Sequence, residues 1–173
     1  MDTMKKTLRI GMIGLGARGK DLLPNAVLEV PQAEVTAVCD VYEDRAQAGA
    51  KIVLEKRGNQ PAVYLDYREL LKDENVDAVI ISASWEVHVP IALEAMKAGK
   101  ITASEVGGAL SLEECWELVR TYEETGTPIM FLENCCYGRD ELMVLNMVRQ
   151  GLFGEIVHCQ GGYRHDLRDE VSF

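Results

Sequence analysis

Three glycines at positions 14, 16 and 19 lie in the stretch LRIGMIGLGARG, between an apolar run that reads as a strand and a segment with helical spacing. Few short patterns restrict a chain so closely. Gly14 permits a tight turn out of the strand, Gly16 lets a ligand approach the backbone, and Gly19 lets helix and strand pack closely. The free amides and macrodipole of the following helix then favour an anion at its start. Glycines before a helix need no ligand, so the pattern alone is weak. A second strand strengthens it. Asp40 closes that strand 21 residues after Gly19 (40 − 19), near the spacing at which a carboxylate accepts from adenosine ribose hydroxyls and repels a 2′-phosphate. The combination points to a dinucleotide, NAD rather than NADP. Arg18 fits either a phosphate contact or a solvated helix-start arginine.

Strand-like and helix-like segments alternate from residue 7 to about 134. The strand candidates are Leu8 to Ile13, Glu34 to Cys39, Val76 to Ser82, Ile101 to Ser104 and Pro128 to Leu132. This alternation predicts an α/β fold, a Rossmann-type doubly wound parallel sheet, whose ligands collect at the carboxyl ends of the strands. A helix should run from Ala17 to Val30 with a kink or break at Pro24. Another should cover residues 43 to 58, stopping at Gly58. For Leu112 to Thr125, Ser111 and Glu114 form a capping box and Gly126 suits the left-handed end. Its apolar stripe, Leu112, Cys115, Trp116, Val119 and Tyr122, is expected to face the sheet.

The pattern changes after residue 134. A helix containing Leu142, Leu145 and Val148 ends at Gly151, and Glu155 to Tyr163 reads as a strand. The expected organisation is a nucleotide-binding domain over 1–134 and the beginning of an incomplete α+β substrate domain over 135–173. The net charge of −10 disfavours nucleic acid and anionic membranes as partners. The absence of a signal-peptide-like stretch suggests a cytoplasmic chain. Five cysteines without CxxC spacing read as reduced, buried thiols rather than disulfides or metal ligands, so no metal is expected.

The segments SASWEVH, SEVGGALSLEECWELV, LENCCYGRDEL and VRQGLFGEIVHCQGGYRHDLRDEV resemble the Gfo/Idh/MocA oxidoreductase superfamily. More narrowly, they resemble its NAD-dependent glycosidase branch, the type of bacterial α-N-acetylgalactosaminidases. In sugar dehydrogenases of the superfamily, the strand corresponding to Ile101 to Ser104 ends in Glu-Lys-Pro, whose lysine is a general acid or base. Here the place reads Glu105-Val106-Gly107, and the glycosidase branch also lacks the lysine. The resemblance implies transient oxidation at the sugar C3 of an N-acetylhexosaminide, elimination at C1, addition of water, and return of the hydride. The net reaction is hydrolysis within carbohydrate metabolism, without the paired carboxylates of common glycosidases.

Carried over residue by residue, the resemblance assigns Arg18, Gly19, Asp40, Trp85, Glu86, Val87, His88, Glu105, Val106 and Asn134 to the cofactor. Tyr163 matches a substrate-contacting tyrosine. Within Tyr163-Arg164-His165-Asp166, His165 is the acid or base candidate beside Tyr163, although the same cluster fits a solvated strand end. His88 also fits a helix-start residue that caps backbone amides. Ala83-Ser84 replaces the branch's usual Thr-Pro, and Val87 replaces an aromatic residue. The expected partner is a small carbohydrate, with a homo-oligomer formed through the C-terminal sheet. An NAD-linked sugar or inositol dehydrogenase and a non-catalytic NAD-binding module are the alternatives.

Overall fold

The computed structural model describes residues 7–162 and 166. The chain divides into two compact units, one up to Asn134 and one from Cys135. In the first unit, six strands form one parallel sheet: β1 Leu8–Ile13, β2 Ala33–Cys39, β3 Ala62–Tyr64, β4 Ala78–Ile81, β5 Ile101–Glu105 and β6 Ile129–Leu132. Their order is β3-β2-β1-β4-β5-β6. After β1 the chain builds to one side, and after β3 it crosses to the other. The reversal opens a crevice between the carboxyl ends of β1 and β4, where ligands of such sheets bind.

Helices cover both faces: α1 Ala17–Asn25, α2 Glu43–Arg57, α3 Tyr67–Leu71, α4 Trp85–Lys97 and α5 Leu112–Thr125. One core cluster joins Ile10, Met12, Leu23, Val35, Val38 and Val53. On the opposite face, another joins Ile13, Ala37, Val79, Ile81, Ala92 and Met96. Side chains of a strand alternate between faces, yet Val35 and Val38 share one. The β1–β2 register explains this, because Ile10 pairs with Val35 while Gly11 pairs with Ala37. Thr36 is the extra residue of a bulge, and it resets the alternation.

The helix after the glycine loop ends earlier than expected. Pro24 lies in its last turn, α1 stops at Asn25, and a 3-10 turn over Val27–Glu29 follows. Proline removes a donor and leaves little to continue the ladder beyond it. Gly58 and Gly126 take left-handed conformations that end α2 and α5. Ser111 Oγ accepts from the Glu114 amide at 3.1 Å. The returning Glu114 carboxylate accepts from the Leu110 amide, one residue before the position a capping box uses.

The expected inner stripe of α5 is not the buried one. Leu118 and Thr121 are its buried residues, whereas Leu112, Cys115, Trp116, Val119 and Tyr122 are exposed. The helix packs mainly on α4, which in turn packs on β4 and β5. It therefore rests on a narrow strip of its surface. The cysteine expectation also fails in part: all five are free, but Cys39 alone is buried, at the inner end of β2, and the other four are exposed.

The second unit contains α6, Arg139–Arg149, none of whose residues is buried. Its acidic first turn and Arg149 in its last turn complement the helix dipole. Left-handed Gly151 and Gly154 follow. Residues 155–162 are not a strand, contrary to expectation. A strand exists through its hydrogen-bonded neighbour, and no neighbour for this segment occurs among the described residues.

Candidate cofactor site

The glycine loop is fixed by contacts that leave no room for side chains. The Gly14 amide donates to the Cys39 carbonyl at 2.9 Å, and Ser82 Oγ donates to the Gly14 carbonyl at 2.7 Å. Gly14 has φ +89°, and a Cβ there would lie 2.5 Å from the Ala83 amide nitrogen. On Gly19 a Cβ would fall 2.0 Å from the Gly14 carbonyl oxygen and 2.6 Å from Ser82 Oγ. Gly16 differs: a Cβ on it would meet no atom nearer than Arg45 Nη1, at 3.9 Å. Two glycines are thus demanded by packing within the protein, while the space beside Gly16 is open to a ligand.

Asp40, 7% exposed, carries the junction of β2 and the next helix. Its Oδ2 accepts from the Leu15 amide at 2.7 Å and its Oδ1 from the Tyr42 amide at 3.0 Å. The carboxylate therefore ties the glycine loop to the start of α2. Each oxygen keeps a further lone pair for a hydroxyl donor. Beside it, burial and then the charges of Asp40 and Asp66 push the Cys39 thiol up to about 12, which keeps it protonated and unreactive.

Gly14, Gly16, Arg18, Asp40 and Val87 border one cleft of about 840 Å³, a size that suits a bound cofactor. Arg18, at the start of α1, borders this cleft with about half of its side chain exposed, and it also forms an ion pair. Its Nε donates to Glu105 Oε1 at 2.8 Å, while Glu105 Oε2 accepts from the Val106 amide at 2.9 Å. Glu105 is 6% exposed. This pair links the start of α1 to the end of β5, so two residues assigned separately from the sequence form one unit.

His88 does not cap amides. Its Nε2 lies 2.9 Å from the Ala83 carbonyl, which can only accept, so Nε2 carries a hydrogen. In the neutral ring Nδ1 is then an acceptor. Nδ1 is buried without a partner among the described residues. It faces Gly107, where φ is +142° and a Cβ would approach Nδ1 at 3.1 Å and Trp85 Cδ1 at 2.7 Å. A buried acceptor without a donor is costly unless a ligand supplies one. Trp85 and Glu86 are exposed near this point at the start of α4. Hydrogen bonds from its own amide and from Ser84 hold the Glu86 carboxyl below its ordinary range.

Val106 is half-buried after β5, and Asn134 is exposed just beyond β6. Tyr163 and His165 lie outside the described residues. Sequence reading passed over Tyr42 and Arg45, which border the cleft beyond Asp40; the only signal was their place in the turn after the acidic residue. A cradle shaped by absent Cβ atoms, a carboxylate with free lone pairs and an orphaned imidazole nitrogen together fit a dinucleotide.

Residues 8–132 match the family described as "Oxidoreductase family, NAD-binding Rossmann fold". Residues 137–173 match "Glycosyl hydrolase 109, C-terminal domain". The chain is 42% identical over 171 residues to an alpha-N-acetylgalactosaminidase of Shewanella oneidensis, covering 96% of this chain and 37% of that protein. It is 44% identical over 169 residues to glycosyl hydrolase family 109 protein 1 of Shewanella sp. strain ANA-3, covering 95% and 37%. The chain thus spans little more than a third of the length of these relatives. Among solved structures it is similar to scyllo-inositol dehydrogenase from Lactobacillus casei with bound NAD(H) and scyllo-inositol. That match has a TM-score of 0.77 at 22% identity, over 87% of this chain and 43% of the other. A probable dehydrogenase from Thermotoga maritima matches with a TM-score of 0.74 at 29% identity, over 85% and 42%.

Proposed function

This chain belongs to the Gfo/Idh/MocA oxidoreductase family, and on that premise we propose that it is the cofactor-holding part of an NAD-dependent glycosidase acting on an N-acetylhexosaminide. The observation that carries the reading is the union, in one chain, of the NAD-type glycine cradle with a segment matching the glycosyl hydrolase 109 C-terminal domain. When bound, NAD supplies a reversible hydride acceptor beside the sugar. The protein's own residues have the other tasks.

Amides at the start of α1 would hold the diphosphate beside the glycine loop, and Asp40 would accept from the adenosine ribose. Trp85, Glu86, Val87, Glu105, Val106 and Asn134 border the nicotinamide half. There His88 Nδ1 would accept a hydrogen bond that no described residue provides. Tyr163 contacts the sugar and His165 moves a proton. This organisation puts cofactor residues in 1–134 and the beginning of a substrate domain in 135–173. The same reading includes a cytoplasmic chain and a role in carbohydrate metabolism, with no membrane or nucleic acid as partner and homo-oligomers forming through the C-terminal sheet.

Two observations bear on the dehydrogenase alternative. No lysine borders the cleft among the described residues, and the strand end that bears one in sugar dehydrogenases is occupied by Glu105-Val106. Both favour the glycosidase. The test is calorimetry with NAD⁺, followed by incubation with a chromogenic α-N-acetylgalactosaminide. We expect heat on NAD⁺ addition and aglycone release, weak in this 173-residue chain, without net growth of NADH absorbance. Steady NADH formation from a free sugar or inositol would replace this reading with the dehydrogenase. NAD⁺ binding with neither activity, in this chain and in one extended to the length of its relatives, would leave a binding module.

A further inference from the structure

Arg45, in the first turn of α2, has no role in the reading above. Three arginines border the cleft among the described residues: Arg18, Arg45 and Arg68. Two are engaged with carboxylates. Arg18 meets Glu105 at 2.8 Å, and Arg68 meets Glu94 at 2.9 Å. Arg45 has no carboxylate within 4 Å among the described residues. Its guanidinium carbon lies 4.5 Å from the centroid of the Tyr42 ring, a stacking that restrains the side chain and leaves the edges of the guanidinium free to donate.

One of those edges has a defined direction. Nη1 lies 3.9 Å from the place a Cβ would take on Gly16. That missing Cβ marks the space through which a diphosphate approaches the backbone. Nη1 therefore stands across that space from the glycine loop. A diphosphate there needs compensation in a chain of net charge −10, with Asp40 and Asp66 also bordering the cleft. Arg18 already has a carboxylate partner in Glu105, whereas Arg45 has none among the described residues.

We propose that Arg45, shelved on Tyr42, is a cofactor-affinity residue that donates to the adenosine-side phosphate of the dinucleotide, closing the diphosphate between its guanidinium and the α1 amides. The inference rests on the cofactor reading above. It predicts dependence on phosphate charge rather than on the adenine base.

The test is titration calorimetry of this chain and its Arg45→Ala and Arg45→Lys variants with NAD⁺ and ADP, and a high-concentration shift titration with adenosine. Arg45 is exposed, so the variants should fold, as circular dichroism would verify. Loss of one charge-assisted hydrogen bond should weaken NAD⁺ and ADP about tenfold each in Arg45→Ala. Adenosine should bind equally to all three proteins, Arg45→Lys should recover part of the loss, and the difference should shrink as salt rises. Unchanged NAD⁺ affinity overturns the proposal. So does an equal loss for adenosine, which would mean a contact with the base. If the unsubstituted chain gives no heat with NAD⁺, the cofactor reading itself falls, and that outcome is separate from the other two.

Discussion

Helices α4 and α5 lie side by side, yet they bury very different amounts of themselves. α4 has six buried residues, from His88 to Met96, whereas α5 has Leu118 and Thr121. Local signals favour α5: it has a Ser111 cap and a Gly126 stop, while at α4 the N-cap Ser84 makes no side-chain cap and Pro90 lies inside the helix. Burial follows the other order because α4 packs on β4 and β5, and α5 packs mainly on α4. Capping and periodicity determine where a helix forms. Its neighbours determine which side goes dry.

The same contrast separates the middle of the sheet from its outer strand. β1 and β4 are paired on both sides, and the glycine loop lies at their carboxyl ends. The severest challenge to that centre is Gly19→Ala, whose added methyl would fall 2.0 Å from the Gly14 carbonyl oxygen. Backbone on both sides must shift, so we expect a loss of about 3 kcal/mol in urea unfolding and no measurable NAD⁺ binding. An unaltered unfolding midpoint would show that α1 can draw back from β1 without cost.

A paired truncation tests the two helices directly. Met96 is fully buried in α4, and Leu118 in α5 is 7% exposed. Met96→Ala should cost about 3 kcal/mol and Leu118→Ala about 2 kcal/mol or less, because removing a fully enclosed side chain leaves the larger cavity. Equal losses, or a reversed order, would break the contrast drawn between these helices.

What the sequence made legible follows the same division. Gly14, Gly19 and Asp40 could be interpreted from their spacing because their constraints are local to one strand, one turn and one helix start. The strand limits near β1 and β2 and the stops at Gly58 and Gly126 belong to this class. Short β3 and α3 escaped notice, since three and five residues are too few to establish a period. The Arg18 bond to Glu105 spans 87 residues, and no local pattern reports it. The strand expected from Glu155 is absent over residues 155–162 for a related reason: alternation describes a segment able to pair, but pairing requires another strand, and none among the described residues pairs with it.

The smallest expected effect is on the outer side of α5, where Trp116 is 51% exposed and Leu112 74% exposed. An apolar residue already in water loses little when a polar one replaces it. Trp116→Ser should therefore change unfolding free energy by no more than about 0.5 kcal/mol, compared with the losses expected at Met96 and Leu118. Measuring it at several protein concentrations sharpens the comparison. A loss above about 1.5 kcal/mol that persists on dilution would mean that Trp116 packs within the chain. A loss confined to concentrated solution would mean that another copy covers this stripe, because association contributes to stability through mass action. A negligible loss at every concentration would place the apolar stripe of α5 in solvent despite its helical period.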